Sequence, residues 1–232
     1  MLTVAGLTKT YPGASHAALR DVSFALSAGE CAAVVGRSGA GKSTLARCLA
    51  GFERPSAGSI AIDGRVQLLF QDSPLSLNPR WSVERLLAEP FVIARRRDAT
   101  DQARALAERA GFPKSYLEKP IWALSGGERQ LVALSRTLSV DALALLIMDE
   151  PFTGLDERRR QRIAGQVEAR RRGGLSLLLI THDLHWARQW ADRVLVLDEG
   201  RLVDDSPVDR FFAAPRHPAG AALLAAQLEP VC

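Results

Sequence analysis

The chain has 232 residues, 47% of them hydrophobic and 24% charged, which fits one large domain, or a domain with an inserted subdomain, built around a real core. The net charge of +4 arises mostly from Arg95-Arg96-Arg97, Arg158-Arg159-Arg160 and Arg170-Arg171-Arg172, which carry no interleaved aromatics and read as solvated helix faces rather than a nucleic-acid patch. No run of about 20 apolar residues occurs and Met1 to Val4 begins no secretory pattern, so a soluble chain is expected. Cys31, Cys48 and Cys232 lack metal-ligand spacing, and Cys31 and Cys48 are expected as reduced core residues in a cytoplasmic compartment.

Leu2 to Leu7 alternates and predicts an edge strand, and Tyr11-Pro12-Gly13 predicts a turn. Tyr11 can either stack on a purine or pack at the strand end. Leu19 to Leu26 alternates again, and Cys31 to Val35 reads as a buried strand. The next stretch, Gly36-Arg37-Ser38-Gly39-Ala40-Gly41-Lys42-Ser43-Thr44, matches G-x-x-x-x-G-K-[ST] at every fixed position and continues into a helix reaching Ala50. Its glycines let backbone wrap a polyphosphate, and the helix start offers free N–H groups and a positive dipole end. Lys42 is suited to the β- and γ-phosphates and the Ser43 hydroxyl to Mg2+.

Ser59 to Ile62 predicts a short strand, Asp63-Gly64 a tight turn, and Val66 to Phe70 a further strand ending at Gln71. From Asp72 to about Ser139 the pattern becomes helical. Ser82 is expected to cap a helix from Val83 to Arg97 and Thr100 another through Ala110. Leu124-Ser125-Gly126-Gly127-Glu128 opens a further helix, whose start offers a second anion site, although taken alone an ordinary cap is the favoured reading. Leu143 to Met148 is a buried strand ending in Asp149-Glu150. A carboxylate at that end of a central strand suits water-mediated Mg2+ binding, and Glu150 is placed to orient or deprotonate an attacking water. Gly154-Leu155-Asp156 turns into a long charged helix through Arg172. Leu175 to Ile180 is the next strand, ending at Thr181-His182-Asp183, where His182 is either structural or part of the phosphate site. Arg193 to Leu197 predicts the last strand, with Pro-punctuated helix after the Glu199-Gly200 turn.

Taken together, this ordered set resembles the ATP-binding cassette (ABC) ATPase family over nearly the whole chain. The resemblance implies an α/β P-loop NTPase core with an antiparallel β subdomain and an inserted helical subdomain. The core would comprise residues 1–71 and 140–232, and the helical subdomain about 72–139. It assigns Tyr11 to adenine stacking, Gly36 to Thr44 to the Walker A loop, and Gln71 to the Q-loop. Ser125, Gly126 and Gly127 fall in the signature motif, Asp149 in Walker B, and Asp156 in the D-loop. Glu150 becomes the catalytic glutamate and His182 the switch histidine. ATP and Mg2+ are the implied substrate and cofactor, with Ser43, Gln71 and Asp149 around the metal.

Gln71-Asp72-Ser73 and Asn78-Pro79-Arg80, with His217-Pro218 before an Ala/Leu-rich helix, are similar to the peptide, nickel and metal-opine importer ATPases. That likeness implies a subunit peripheral to the inner membrane face, bound to permease subunits and a second ABC ATPase, with a solute-binding protein as indirect partner and no nucleic acid. The alternative is a soluble ABC ATPase acting on nucleic acid or ribosomes. Two departures stand out: the segment between Gly64 and Val66 is shorter than the family norm, and Glu128 stands where Gln is commoner.

Overall fold

A computed structural model describes residues 1–70, 76–151 and 157–228. The chain divides into two compact units, one of residues 1–68, 144–150 and 174–232, the other of residues 69–143 and 151–173.

In the first unit, β1 (Leu2–Lys9), β2 (Leu19–Leu26) and β4 (Ala57–Ile62) form an antiparallel sheet in the order β2-β1-β4. β1 is therefore central, not the expected edge strand. Its second flank is taken by β4, with Leu2 opposite both Leu26 and Ile62. The second sheet has the order β5-β6-β7-β3-β8-β9, from β3 (Cys31–Val35), β5 (Arg65–Leu69), β6 (Leu143–Asp149), β7 (Ser176–Ile180), β8 (Arg193–Asp198) and β9 (Arg201–Pro207). Neighbours from β6 to β8 run parallel. β3 and β7 are buried at every position, which explains why they read as continuous apolar runs rather than alternating ones.

The strand β9 corrects the expectation of helix after Gly200. Glu199 and Gly200 both take positive φ, folding β9 back antiparallel on β8. Its polar residues hid it, because Asp204 and Ser206 are buried and bond to each other instead of pointing to water. Helix α1 (Lys42–Leu49) follows β3, and its Leu45, Ala46, Cys48 and Leu49 join Ala32, Val34, Leu145, Ile147, Leu178 and Ile180 in one core with the small sheet. Cys31 and Cys48 are buried in the core, as expected. Helices α6 (Leu184–Trp190), α7 (Val208–Ala213) and α8 (Pro218–Leu228) complete this unit.

The second unit holds α2 (Val83–Ile93), α3 (Ala99–Arg109), α4 (Gly126–Leu138) and α5 (Glu157–Arg172). Ser82 caps α2 as expected, accepting from the Arg85 amide, but the helix ends at Ile93 rather than Arg97. Arg95 adopts φ 56°, a left-handed turn that no helix continues through. The cap position of α3 is Asp98, not Thr100. Its carboxylate accepts from Arg96 and Gln102, fixing the chain just before the first turn. Of the described helices, none is long and apolar enough to cross a membrane.

Candidate functional site

The loop from Gly36 to Gly41 joins β3 to α1 and is clamped by its surroundings. A Cβ on Gly36 would lie 2.2 Å from the Leu197 carbonyl oxygen, and one on Gly41 would lie 2.6 Å from that of Ala18. Only glycine lets the loop sit this close to its neighbours. The Ala40 amide donates to the Arg37 carbonyl at 3.1 Å, and Ala40 in turn accepts from the Gly200 amide at 3.1 Å. Arg37, Ser38 and Gly39 are left exposed at the tip.

At the end of this loop, α1 begins without side-chain help. Gly41 occupies the cap position and supplies no side-chain cap, and the first turn holds no acid. Such a helix start carries orphan donors and a positive dipole end, the combination that binds anions. Lys42 folds back over the loop, its ammonium donating to the carbonyls of Gly36 at 2.7 Å and Arg37 at 3.0 Å. Burial pushes its pKa down, opposed by the nearby Glu150 and Asp149 carboxylates. Ser43 is exposed and Thr44 half-buried in the same turn.

Asp149 ends β6 in register with Ile180 of β7. Its pKa is raised, chiefly by burial and then by the Glu150 charge, while Lys42, a hydrogen bond from Ser43 and Arg47 pull the other way. A carboxylate and a hydroxyl drawn together at the phosphate loop form an oxygen donor set. That set fits Mg2+, which takes few protein ligands and completes its shell with water and substrate phosphate. Glu150 has φ 49°, which turns the chain at the strand end, and its amide donates to the Ile180 carbonyl at 2.9 Å. Among the described residues, three groups contact its side chain. Oε1 accepts from the His182 amide at 2.8 Å and meets His182 Nδ1 at 2.6 Å, while Oε2 accepts from the Thr181 hydroxyl at 3.2 Å. The His182 side chain is 75% exposed and that of Glu150 only 12%, so the ring is presented outward from a half-buried carboxylate.

Lys42, Ser43, Asp149, Glu150 and His182 are thus brought together by the ends of β3, β6 and β7. Tyr11 lies in a turn after β1, with Lys9 Nζ 4.9 Å from its ring centroid. Gln71 and Asp156 fall outside the described residues. In the second unit, Ser125 caps α4 in a complete capping box. Its hydroxyl accepts from the Glu128 amide at 3.4 Å, and the Glu128 carboxylate accepts from the Ser125 amide at 2.8 Å. A Cβ at Gly126 would meet nothing within 4 Å, so the fold of this chain does not itself demand glycine there. Thr181 is a site residue that motif spacing did not single out. Its position directly after the β7 apolar run is the signal that could have found it.

The family model described as ABC transporter matches residues 19–153. The chain is 34% identical to the nickel import ATP-binding protein NikE of Brucella abortus (strain 2308), over 92% of this chain and 87% of that protein. It is 37% identical to the probable D,D-dipeptide transport ATP-binding protein DdpF of Escherichia coli (strain K12), over 87% and 67% respectively. Among solved structures, a dimeric ATP-binding cassette in a post-hydrolysis state with ADP and Pi superposes with a TM-score of 0.79 at 22% identity, over 90% of this chain and 99% of that one. The fold, the phosphate loop and these likenesses agree, and the chain belongs to the ATP-binding cassette family of transporter ATPases, enzymes that bind and hydrolyse ATP.

Proposed function

We propose that the chain is the ATP-hydrolysing subunit of a membrane importer of the peptide, nickel or metal-opine type, held at the inner membrane face by permease subunits. Support comes from the names of the relatives, which describe nickel import and dipeptide transport and whose lengths the chain largely covers. The alternative of a soluble ATPase acting on nucleic acid or ribosomes gains no support from them.

The observation that carries the chemical reading is the half-buried Glu150 carboxylate, gripped by Thr181 and His182 beside Asp149 and Lys42. Phosphoryl transfer asks the protein for positioning and charge neutralisation rather than covalent chemistry. The amides of Gly39 and of Gly41 to Thr44 and the Lys42 ammonium bind the phosphates, with Lys42 leaving the Gly36 and Arg37 carbonyls for the anion. Tyr11 stacks on adenine. Ser43, Asp149 and Gln71 would hold Mg2+, which would supply positive charge to offset that of the phosphates. Glu150 orients the attacking water and accepts its proton. His182 exchanges its contact with Glu150 for the γ-phosphate.

The second half of the reading concerns a dimer. Ser125, Gly126 and Gly127 of one subunit, with Asp156, complete the γ-phosphate face of the other, and the open space over Gly126 admits a phosphate close to backbone. ATP then favours the closed dimer because only that state makes these contacts. The stretch Gln71 to Arg80, followed by α2, serves as the permease-coupling surface. The short turn between β4 and β5 is expected to alter nucleotide affinity. The test is purification from solubilised membranes with a tag on this chain. Permeases and a second ATPase should co-purify and stimulate ATP turnover. Nucleic-acid-stimulated, salt-sensitive turnover without permeases would refute the transport role.

A further inference from the structure

We propose that Gln227, near the end of α8, is a positioning residue that sets the His182 segment for hydrolysis. The proposal rests on the assignment of His182 made above. Between β7 and α6 the chain bonds itself locally: the Thr181 hydroxyl accepts from the Asp183 amide, and the Asp183 carboxylate accepts from the His185 amide. The Leu184 amide and the His182 carbonyl are instead served by one side chain. Gln227 Oε1 accepts from Leu184 N–H at 3.1 Å, and Gln227 Nε2 donates to the His182 carbonyl at 2.8 Å. The pairing fixes the amide's orientation, since only its oxygen can accept and only its nitrogen can donate.

Residue 182 is consequently pinned through both of its backbone groups. Its N–H goes to Glu150 Oε1 and its carbonyl to Gln227. The ring that leaves Glu150 for a phosphate can swing about side-chain torsions only while this backbone stays fixed. α8 is itself anchored well enough to act as a post. The Arg216 amide donates to the buried Asp204 carboxylate at 2.7 Å, and His217 accepts from the Ala219 and Gly220 amides at 3.2 and 3.0 Å. Gly220 is buried, and a Cβ there would sit 3.0 Å from Phe211 and Pro215. Gln227 lies seven residues on, about two helical turns, and so on the same face as this contact. Both residues lie beyond the span 19–153 that the family model matches.

The test compares ATP turnover of the full chain with that of Gln227→Met, which keeps length and packing but can neither donate nor accept as an amide does, and with Gln227→Ala. Both variants should lower kcat by about 5- to 10-fold with KM for ATP within about 2-fold of the parent, the size expected for two lost backbone contacts. A role confined to stability would instead lower the melting temperature and leave the kcat of the folded fraction unchanged, and that result would overturn the proposal. In a His182→Ala background, Gln227→Met should give no further loss of the residual turnover. A further loss of the same factor would show that Gln227 does not act through His182. Wild-type turnover in His182→Ala alone would overturn the assignment of His182 and the proposal with it. An impaired His182→Ala beside a fully active Gln227→Met would overturn the Gln227 proposal only.

Discussion

Two helices of this molecule start with a glycine-rich sequence, and they solve the problem of their first turn in opposite ways. α1 begins at Gly41 with no capping side chain, no acid and a lysine at its first position. α4 begins at Ser125 with a complete capping box, in which Glu128 satisfies the Ser125 amide and places a carboxylate in the first turn. A glycine cap falls short of a serine cap by only about a few tenths of a kcal/mol, so α1 gives up little stability while leaving its first-turn amides open. The difference separates a helix start made to be completed by an anion from one that is complete alone and can lend its exposed glycine to a neighbour.

The contrast is tested most severely at the chemical step. Glu150→Gln should leave ATP binding intact and reduce turnover by about 100- to 10,000-fold, the range for loss of a positioned base, measured by phosphate release and by the fraction of nucleotide-bound dimer. Undiminished turnover would remove the reason for reading the α1 end as a reaction site. Lys42→Ala should weaken ATP binding by about 10- to 100-fold, because charge-assisted bonds to phosphate contribute about 1.5–3 kcal/mol. Titration with a fluorescent nucleotide would show it.

Stability measurements sharpen the comparison further. ATP at about 100 times its Kd should raise unfolding free energy by about 2.7 kcal/mol through the α1 end. Ser125→Ala should cost about 1 kcal/mol in the nucleotide-free chain, because that cap is already in use. Equal responses of the two helix starts would erase the distinction. The smallest effect is in pH. The raised pKa of Asp149 means that, between the ordinary carboxylate value and the raised one, the native state holds more protons than the unfolded chain. Stability therefore falls as pH rises through that window. Asp149→Asn should flatten the fall and raise the melting temperature of the nucleotide-free protein above the window.

Much of this was readable in the residues. The phosphate loop is legible because its chemistry is local: backbone, one lysine and one hydroxyl lie within nine consecutive positions, Gly36 to Thr44. Asp149 and Glu150 are legible because parallel strands bring their C-terminal ends to one edge. The strand β9 was not, since its buried Asp204 and Ser206 satisfy each other and imitate a solvated stretch. Nor was the bond from Gln227 to the His182 segment, which spans 45 residues and involves backbone atoms that no side-chain pattern encodes. The central place of β1 escaped for a similar reason. Its partner β4 lies far along the chain, and strand pairing leaves no mark on composition.

The φ of 49° at Glu150 has a consequence for anyone who would improve this protein. A non-glycine residue in the left-handed region costs about 1 kcal/mol, and glycine at this position would remove that cost. Glycine would also free the unfolded backbone and take the Glu150 carboxylate away from the His182 amide and the Thr181 hydroxyl, which offsets that gain. The left-handed turn at Glu150 is thus held in place for what its carboxylate binds, and a search for stability gains little by relaxing it.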